Sequence, residues 1–152
     1  MTQLFKATFA SVSADGPLSG YTPEVGSFAN ISGPPTVKAG SPPYGYFGSG
    51  SGTYYSADLS GVTGDDRDAK FYPTLYSGNA RIFLRKSASN EIALIVDDGG
   101  LVGLTVTRAG ATTDYGYFST GLGWTYTVNM LRATISSNQL RVYVNSTLIT
   151  FP

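Results

Sequence analysis

The chain has 152 residues, the size of one domain able to bury roughly 70% of its unfolded surface without staples. It contains no cysteine and no histidine, which excludes a disulfide framework, thiol chemistry, and the commonest general base and metal ligand together. Ten basic residues cancel ten acidic ones and only 13% of the chain is charged, so nucleic acid is not expected as a partner.

The start, MTQLFKATFA, has no basic n-region and no long apolar run. Neither a signal peptide nor a membrane span is expected. LFKATFASV predicts a first strand with Phe5, Ala7 and Phe9 on one face. The next stretch, DGPLSGYTPEVGS at 15–27, carries three glycines and two prolines and cannot be a helix. Its spaced apolar residues Leu18, Tyr21 and Val25 mark a fixed loop that plugs the fold, stiffened by Pro23 and turned at Gly20 and Gly26. A binding role for Tyr21 or Glu24 is the alternative reading of that loop.

Residues 32–52, SGPPTVKAGSPPYGYFGSGSG, read as a long surface loop holding one short strand. TYYSADL at 53–59 and AKFYPTLY at 69–76 are weaker strands, the second interrupted by Pro73. Between them GDDRDAK is the one dense acidic cluster. Asp65, Asp66 and Asp68 offer oxygen ligands of the kind calcium prefers, but the set is incomplete and Arg67 and Lys70 offset it. A solvated turn without metal is expected there.

The second half alternates with period two. RIFLRK puts Ile82 and Leu84 on one face, with Arg81, Phe83 and Arg85 on the other. EIALIV aligns Ile92, Leu94 and Val96, and LVGLTVTR aligns Val102, Leu104 and Val106. SASN at 87–90 and DDGG at 97–100 are the intervening turns, the second supplying positive φ. WTYTVNMLRATI reads as one long strand with Trp124, Tyr126, Val128 and Met130 together. It is followed through SSNQ by LRVYVN, with Leu140, Val142 and Val144 inward. TLITF makes a last edge strand. Nine or more short strands predict an all-β, antiparallel two-sheet sandwich of the jelly-roll kind with almost no helix, spanning 1–152 as one domain. The first strand is expected to pair with the last ones, and the core to include Phe5, Phe9, Leu94, Leu104, Val142 and Val144.

Catalysis finds little support. Glu24 and Glu91 are the two glutamates, and no paired-carboxylate strand motif is present. GSGSG lacks the lysine and helix of a phosphate loop. The functional lead is tyrosine in glycine-rich loops: PPYGYFGSGSGTYY and DYGYF present Tyr44, Tyr46, Phe47, Tyr115 and Tyr117 as candidate partner-binding residues. Tyrosine brings apolar area and a hydroxyl at low entropic cost, which suits protein contacts and sugar stacking alike.

Phe9, Asp15, Gly16, Leu18, Gly20, Thr22, Pro23, Glu24, Gly26 and Phe28 together resemble the N-terminal signature of concanavalin A-like (LamG-like) jelly-roll domains, which are frequent in phage virion proteins. Tyr21 stands where that pattern has histidine and Phe28 where it has tryptophan. NMLRATISSNQLRVYVNSTLI is similar to the family's closing hairpin, with Asn145 and Ser146 where a glycine is usual. The resemblance implies a non-enzymatic virion protein without cofactor, assembled in the host cytoplasm. As a capsid decoration protein it would bind its own kind as a dimer or trimer, together with the major capsid or another virion protein. The alternative is a carbohydrate-binding, lectin-like module of a tail fibre or receptor-binding tip, with a glycan as partner.

Overall fold

A computed structural model describes residues 3, 5–33, 35–40, 44–46, 54–57, 67–73, 75, 78–124 and 129–152; for 30–32, 44–46 and 54–57 it describes the backbone alone. The chain divides into two compact units, Met1–Thr63 and Gly64–Pro152. Each is described by itself. One short 3-10 turn, Leu18–Gly20, is the only helical element among the described residues, as the β-rich composition predicts. No described helix is long and apolar enough to cross a membrane.

In the first unit, β1 (Gly16–Pro17), β3 (Thr36–Lys38) and β4 (Tyr44–Tyr46) form an antiparallel sheet in the order β1-β3-β4, and β2 (Phe28–Ser32) pairs with β5 (Tyr54–Ala57). The span 32–52 therefore holds two strands besides the end of β2. Within this unit the loop at 15–27 is packed rather than free. Leu18 and Tyr21 are buried with Phe9 and Val37 in a small core. Leu18 N–H donates to the Pro35 carbonyl at 2.9 Å, and Tyr21 N–H closes the 3-10 turn on Leu18 O at 3.0 Å.

The strand expected over LFKATFASV does not form in the described residues. Lys6 makes one isolated bridge with Val25, and Phe9 sits at φ 60°, outside the strand region. The cause is local. The Glu24 carboxylate accepts both the Thr8 N–H and the Thr8 hydroxyl, and the Tyr21 hydroxyl accepts Phe9 N–H at 3.0 Å while its ring packs 4.8 Å from that of Phe9. The backbone donors that a sheet would use are bound by the loop instead. Phe5 is half-buried, edge-on to Phe28 at 5.5 Å, and is not a core residue. The expected pairing of first and last strands is likewise absent among the described residues: Lys6 bonds the loop, and the last strand bonds its own hairpin.

Glu24 gives a pH prediction. Burial pushes its carboxyl up, but the Thr8 bonds outweigh that and hold it at about 2, against 4.5 when free. A depressed folded value means that the Thr8–Glu24 contact contributes fully above the free value and is lost as pH falls through the folded one. The Thr8 amide resonance is expected to stay fixed from neutrality to pH 4.5 and to move only as pH approaches 2, the folded value. In Glu24→Gln that movement should vanish. A Thr8 titration centred at the free value would contradict the bond.

The second unit is a two-sheet antiparallel sandwich. β7 (Asn79–Lys86), β8 (Glu91–Asp97), β9 (Leu101–Arg108) and β10 (Ala111–Ser119) form one sheet in the order β10-β9-β8-β7. The other, in the order β13-β12-β11-β6, contains β6 (Arg67–Phe71), β11 (Leu131–Ser136), β12 (Gln139–Val144) and β13 (Thr147–Ile149). The alternating apolar sets meet between the sheets. Leu94, Val96, Val102 and Leu104 pack with Trp124, Leu131, Ala133, Val142, Val144 and Ile149. Three hairpins close on two left-handed residues, Ala109–Gly110, Ser137–Asn138 and Asn145–Ser146, the backbone twist that tight hairpins require.

Three further expectations are corrected here. Of the long run from Trp124, the described residues Trp124, Asn129 and Met130 lie outside any strand, and β11 begins at Leu131. Trp124 is fully buried in a loop, and its carbonyl accepts Leu75 N–H at 3.1 Å. Asn129 is buried too; its amide donates to Gly123 O at 2.9 Å, and its oxygen accepts from Asn145 Nδ2 at 2.8 Å. Those side-chain bonds stand in place of ladder bonds. Tyr126 and Val128 lie outside the described residues. Second, DYGYF is no loop but part of β10, held in the sheet by the Ala109–Gly110 hairpin. Third, Asp68 belongs to β6, not to a turn, and its carboxylate binds Arg132; Asp65 and Asp66 lie outside the described residues.

Candidate functional site

Of the tyrosines that the sequence singled out, Tyr44 and Tyr46 sit on β4, with side chains outside the described residues, and Phe47 lies outside them altogether. Tyr115 and Tyr117 are on β10, an edge strand of its sheet, with 42% and 45% of their surfaces exposed.

A bulge decides where Tyr117 goes. Asp114 opposes Thr105 and Tyr117 opposes Gly103, so Tyr115 and Gly116 together face one residue of β9. Gly116 is at φ 77°, and the Asp114 carboxylate caps the bulge by accepting Gly116 N–H at 2.8 Å. In regular pairing Tyr117 would fall opposite Val102 on the core side and Phe118 would point out; the extra residue reverses this. Phe118 packs against the core. Tyr117 lies on the outward face against Gly103, where a Cβ would stand only 2.6 Å from Tyr117 Cε1. The absence of a side chain at Gly103 makes room for the ring.

The register then fixes the neighbours of Tyr117. One outward row runs Tyr117, Gly103, Ile95, Arg81; the next runs Asp114, Thr105, Ala93, Phe83. At roughly 4.8 Å per strand each row spans about 14 Å. Arg81 reaches back across the sheet, donating from Nη2 to Thr105 Oγ1 at 3.2 Å and standing 3.4 Å from Glu91 Oε1. Lys86 Nζ lies 3.9 Å from the centre of the Phe83 ring and Arg81 5.8 Å from it. The face thus combines an exposed aromatic ring, hydroxyls, a guanidinium and carboxylates. Such a set suits a ligand with one apolar and one hydroxyl-bearing side.

Arg81, Phe83, Glu91 and Thr105 were missed as site residues. The alternation of RIFLRK does place Arg81 and Phe83 on the outer side, but their approach to Tyr117 depends on a register that the sequence does not display. Tyr21 and Glu24 are committed to Phe9 and Thr8 within the first unit. Asp68 is committed to Arg132 by bonds of 2.9 and 2.8 Å. Among the described residues no three His, Cys, Asp or Glu side chains gather as a metal site.

No family model matches the chain. No curated protein matches it either. Among solved structures the fold is similar to that of a carbohydrate-binding module, CBM66 from Bacillus subtilis, with a TM-score of 0.50 at 17% identity. The match covers 64% of this chain and 63% of that one, so the chain spans less than two thirds of the module's length. At that identity the likeness speaks for the β-sandwich fold. It contains nothing specific to phage proteins or to capsid lattices.

Proposed function

We propose that the chain is a non-catalytic carbohydrate-binding module and that the outward face of the β7–β10 sheet holds the glycan. The observation that carries this is the bulge at Tyr115–Gly116, which turns Tyr117 out of the core onto the sheet face that also holds the Arg81–Thr105–Glu91 cluster. A sugar ring would stack its C–H face on Tyr117. Its hydroxyls would bond to Thr105, Arg81 and the carboxylates of Asp114 and Glu91. The fold shared with a carbohydrate-binding module supports this reading over capsid decoration. A virion setting stays part of the proposal on the resemblance of the Phe9–Phe28 stretch and the closing hairpin alone, with the module at a receptor-binding tip.

The test is affinity electrophoresis through gels containing one of a panel of neutral polysaccharides. The wild-type protein should be slowed by at least one of them. Tyr117→Ala should weaken that binding about tenfold or more, as loss of a central aromatic anchor does. Equal retardation of both proteins would remove the Tyr117 face from the proposal, and no retardation by any polysaccharide would remove the glycan.

A further inference from the structure

The second sheet of the Gly64–Pro152 unit has an outward face of different character. Strand register sets Lys70, Arg132, Tyr143 and Leu148 in one row across β6, β11, β12 and β13, with Asp68, Thr134 and Arg141 in the next. These residues alternate with the buried Leu131, Ala133, Val142 and Val144 and therefore point away from the core. Among the described residues the face carries the cations Lys70, Arg132 and Arg141 and the carboxylate of Asp68, in a chain of zero net charge. Lys70 and Arg141 are exposed, as is Leu148 at 53%.

Arg132 is held in one pose. Its Nε and Nη2 donate to the two Asp68 oxygens at 2.9 and 2.8 Å, and its guanidinium lies 5.6 Å from the centre of the Tyr143 ring. Side-chain entropy that a free arginine would lose on binding is already lost, while Asp68 engages only its Nε and Nη2. Arg141 donates to Gln139 Oε1 at 2.7 Å, a neutral partner that leaves its charge uncompensated. Lys70 and Arg132 face each other on neighbouring strands at roughly 4.8 Å, and Arg141 lies diagonally on the next strand, roughly 7–8 Å from Arg132, spacings on the scale of one to two sugar units.

We propose that this face is a second binding surface, selective for an acidic, uronate-bearing polysaccharide whose carboxylates meet Lys70, Arg132 and Arg141 in turn. Leu148 and the edge of Tyr143 take the apolar side of the sugar rings. A single-stranded nucleic acid is the less suitable polyanion, because the Arg132 guanidinium lies over the Tyr143 ring where a base would stack. The proposal is independent of the Tyr117 face, which lies on the other sheet.

The experiment measures retardation of the full chain in gels containing polygalacturonate or neutral dextran, at low ionic strength where exposed charges are least screened. The double variant Lys70→Gln/Arg141→Gln should keep the wild-type melting temperature, since both side chains are at the surface. Its apparent Kd for polygalacturonate should rise about tenfold, the loss of two exposed charge contacts. Tyr117→Ala should bind polygalacturonate as the wild type does. No retardation of the wild type by polygalacturonate overturns the proposal, as does equal retardation of the double variant. So does loss of polygalacturonate binding in Tyr117→Ala, which would place the acidic glycan on the other sheet. Competition by oligothymidylate as strong as by oligogalacturonate would assign the face to nucleic acid instead.

Discussion

Trp124→Ala is expected to lower the unfolding free energy of the Gly64–Pro152 unit by about 3–5 kcal/mol, the range for truncating a large buried aromatic. Trp124 is the largest fully buried side chain among the described residues and belongs to the cluster in which both sheets meet. Domains are stable by roughly 5–15 kcal/mol in total, so a loss of this size leaves the unit near its unfolding threshold. Trp124 itself is outside any strand and is held by its buried side chain and by its carbonyl bond to Leu75. Among the described residues the indole nitrogen has no hydrogen-bond partner, and burying it without one offsets part of the apolar gain. Trp124→Phe should accordingly cost less than Trp124→Ala. The chain has one tryptophan, so unfolding must be followed by circular dichroism rather than fluorescence. Tyr72→Ala, at a side chain 60% exposed, should change stability by less than about 0.5 kcal/mol. A Trp124→Ala loss no larger than that of Tyr72→Ala would mean that the Trp124 side chain does not pack as described.

The same tryptophan shows where the sequence could be read and where it could not. The faces of β7, β8, β9 and β12 were legible because each buries one side of a period-two pattern, and Leu94, Leu104, Val142 and Val144 are buried as the pattern requires. Trp124 was placed on a strand by the same periodicity. It missed the buried amide of Asn129, which bonds Gly123 and Asn145 rather than taking a place in a strand. The first strand failed in a similar way. Phe5, Ala7 and Phe9 alternate, but the partner of Thr8 is a carboxylate sixteen positions away, and no periodicity records that. Strand β10 was hidden for the opposite reason. Ala111–Ser119 is a largely exposed edge strand, so half of the usual apolar signal is missing and a bulge shifts the remainder by one residue. Tyr117 could be picked out as an aromatic to be presented. Its neighbours Arg81, Thr105 and Glu91 could not, because a site built across four strands exists only once register is set.

Gly100→Ala is expected to be among the most damaging single-methyl additions in the chain, while Gly99→Ala, one residue earlier, is expected to be mild. The two glycines are equivalent to any reading of DDGG as a hairpin turn. Gly100 takes the left-handed conformation, at φ 90°. It is buried, and a Cβ there would stand 2.3 Å from the carbonyl oxygen of Leu122 and 3.1 Å from its carbon. These are backbone atoms and cannot swing aside as a side chain would. Leu122 is itself tied down: its N–H donates to Thr120 Oγ1 at 3.0 Å, and that hydroxyl donates to Gly100 O at 2.7 Å. Left-handed strain costs about 1–3 kcal/mol and overpacking a further 1–3 kcal/mol, so a loss of about 2–6 kcal/mol is expected. At Gly99 the nearest atom to an added Cβ is Asp97 Oδ1 at 3.4 Å, a tight but movable contact. The cost there should stay below about 1 kcal/mol. Chemical denaturation of both variants checks this directly. Equal losses would show that the turn as a whole, rather than the Gly100–Leu122 approach, sets the penalty, and a mild Gly100→Ala would show that the loop of Thr120 and Leu122 yields where its bonds say that it is held.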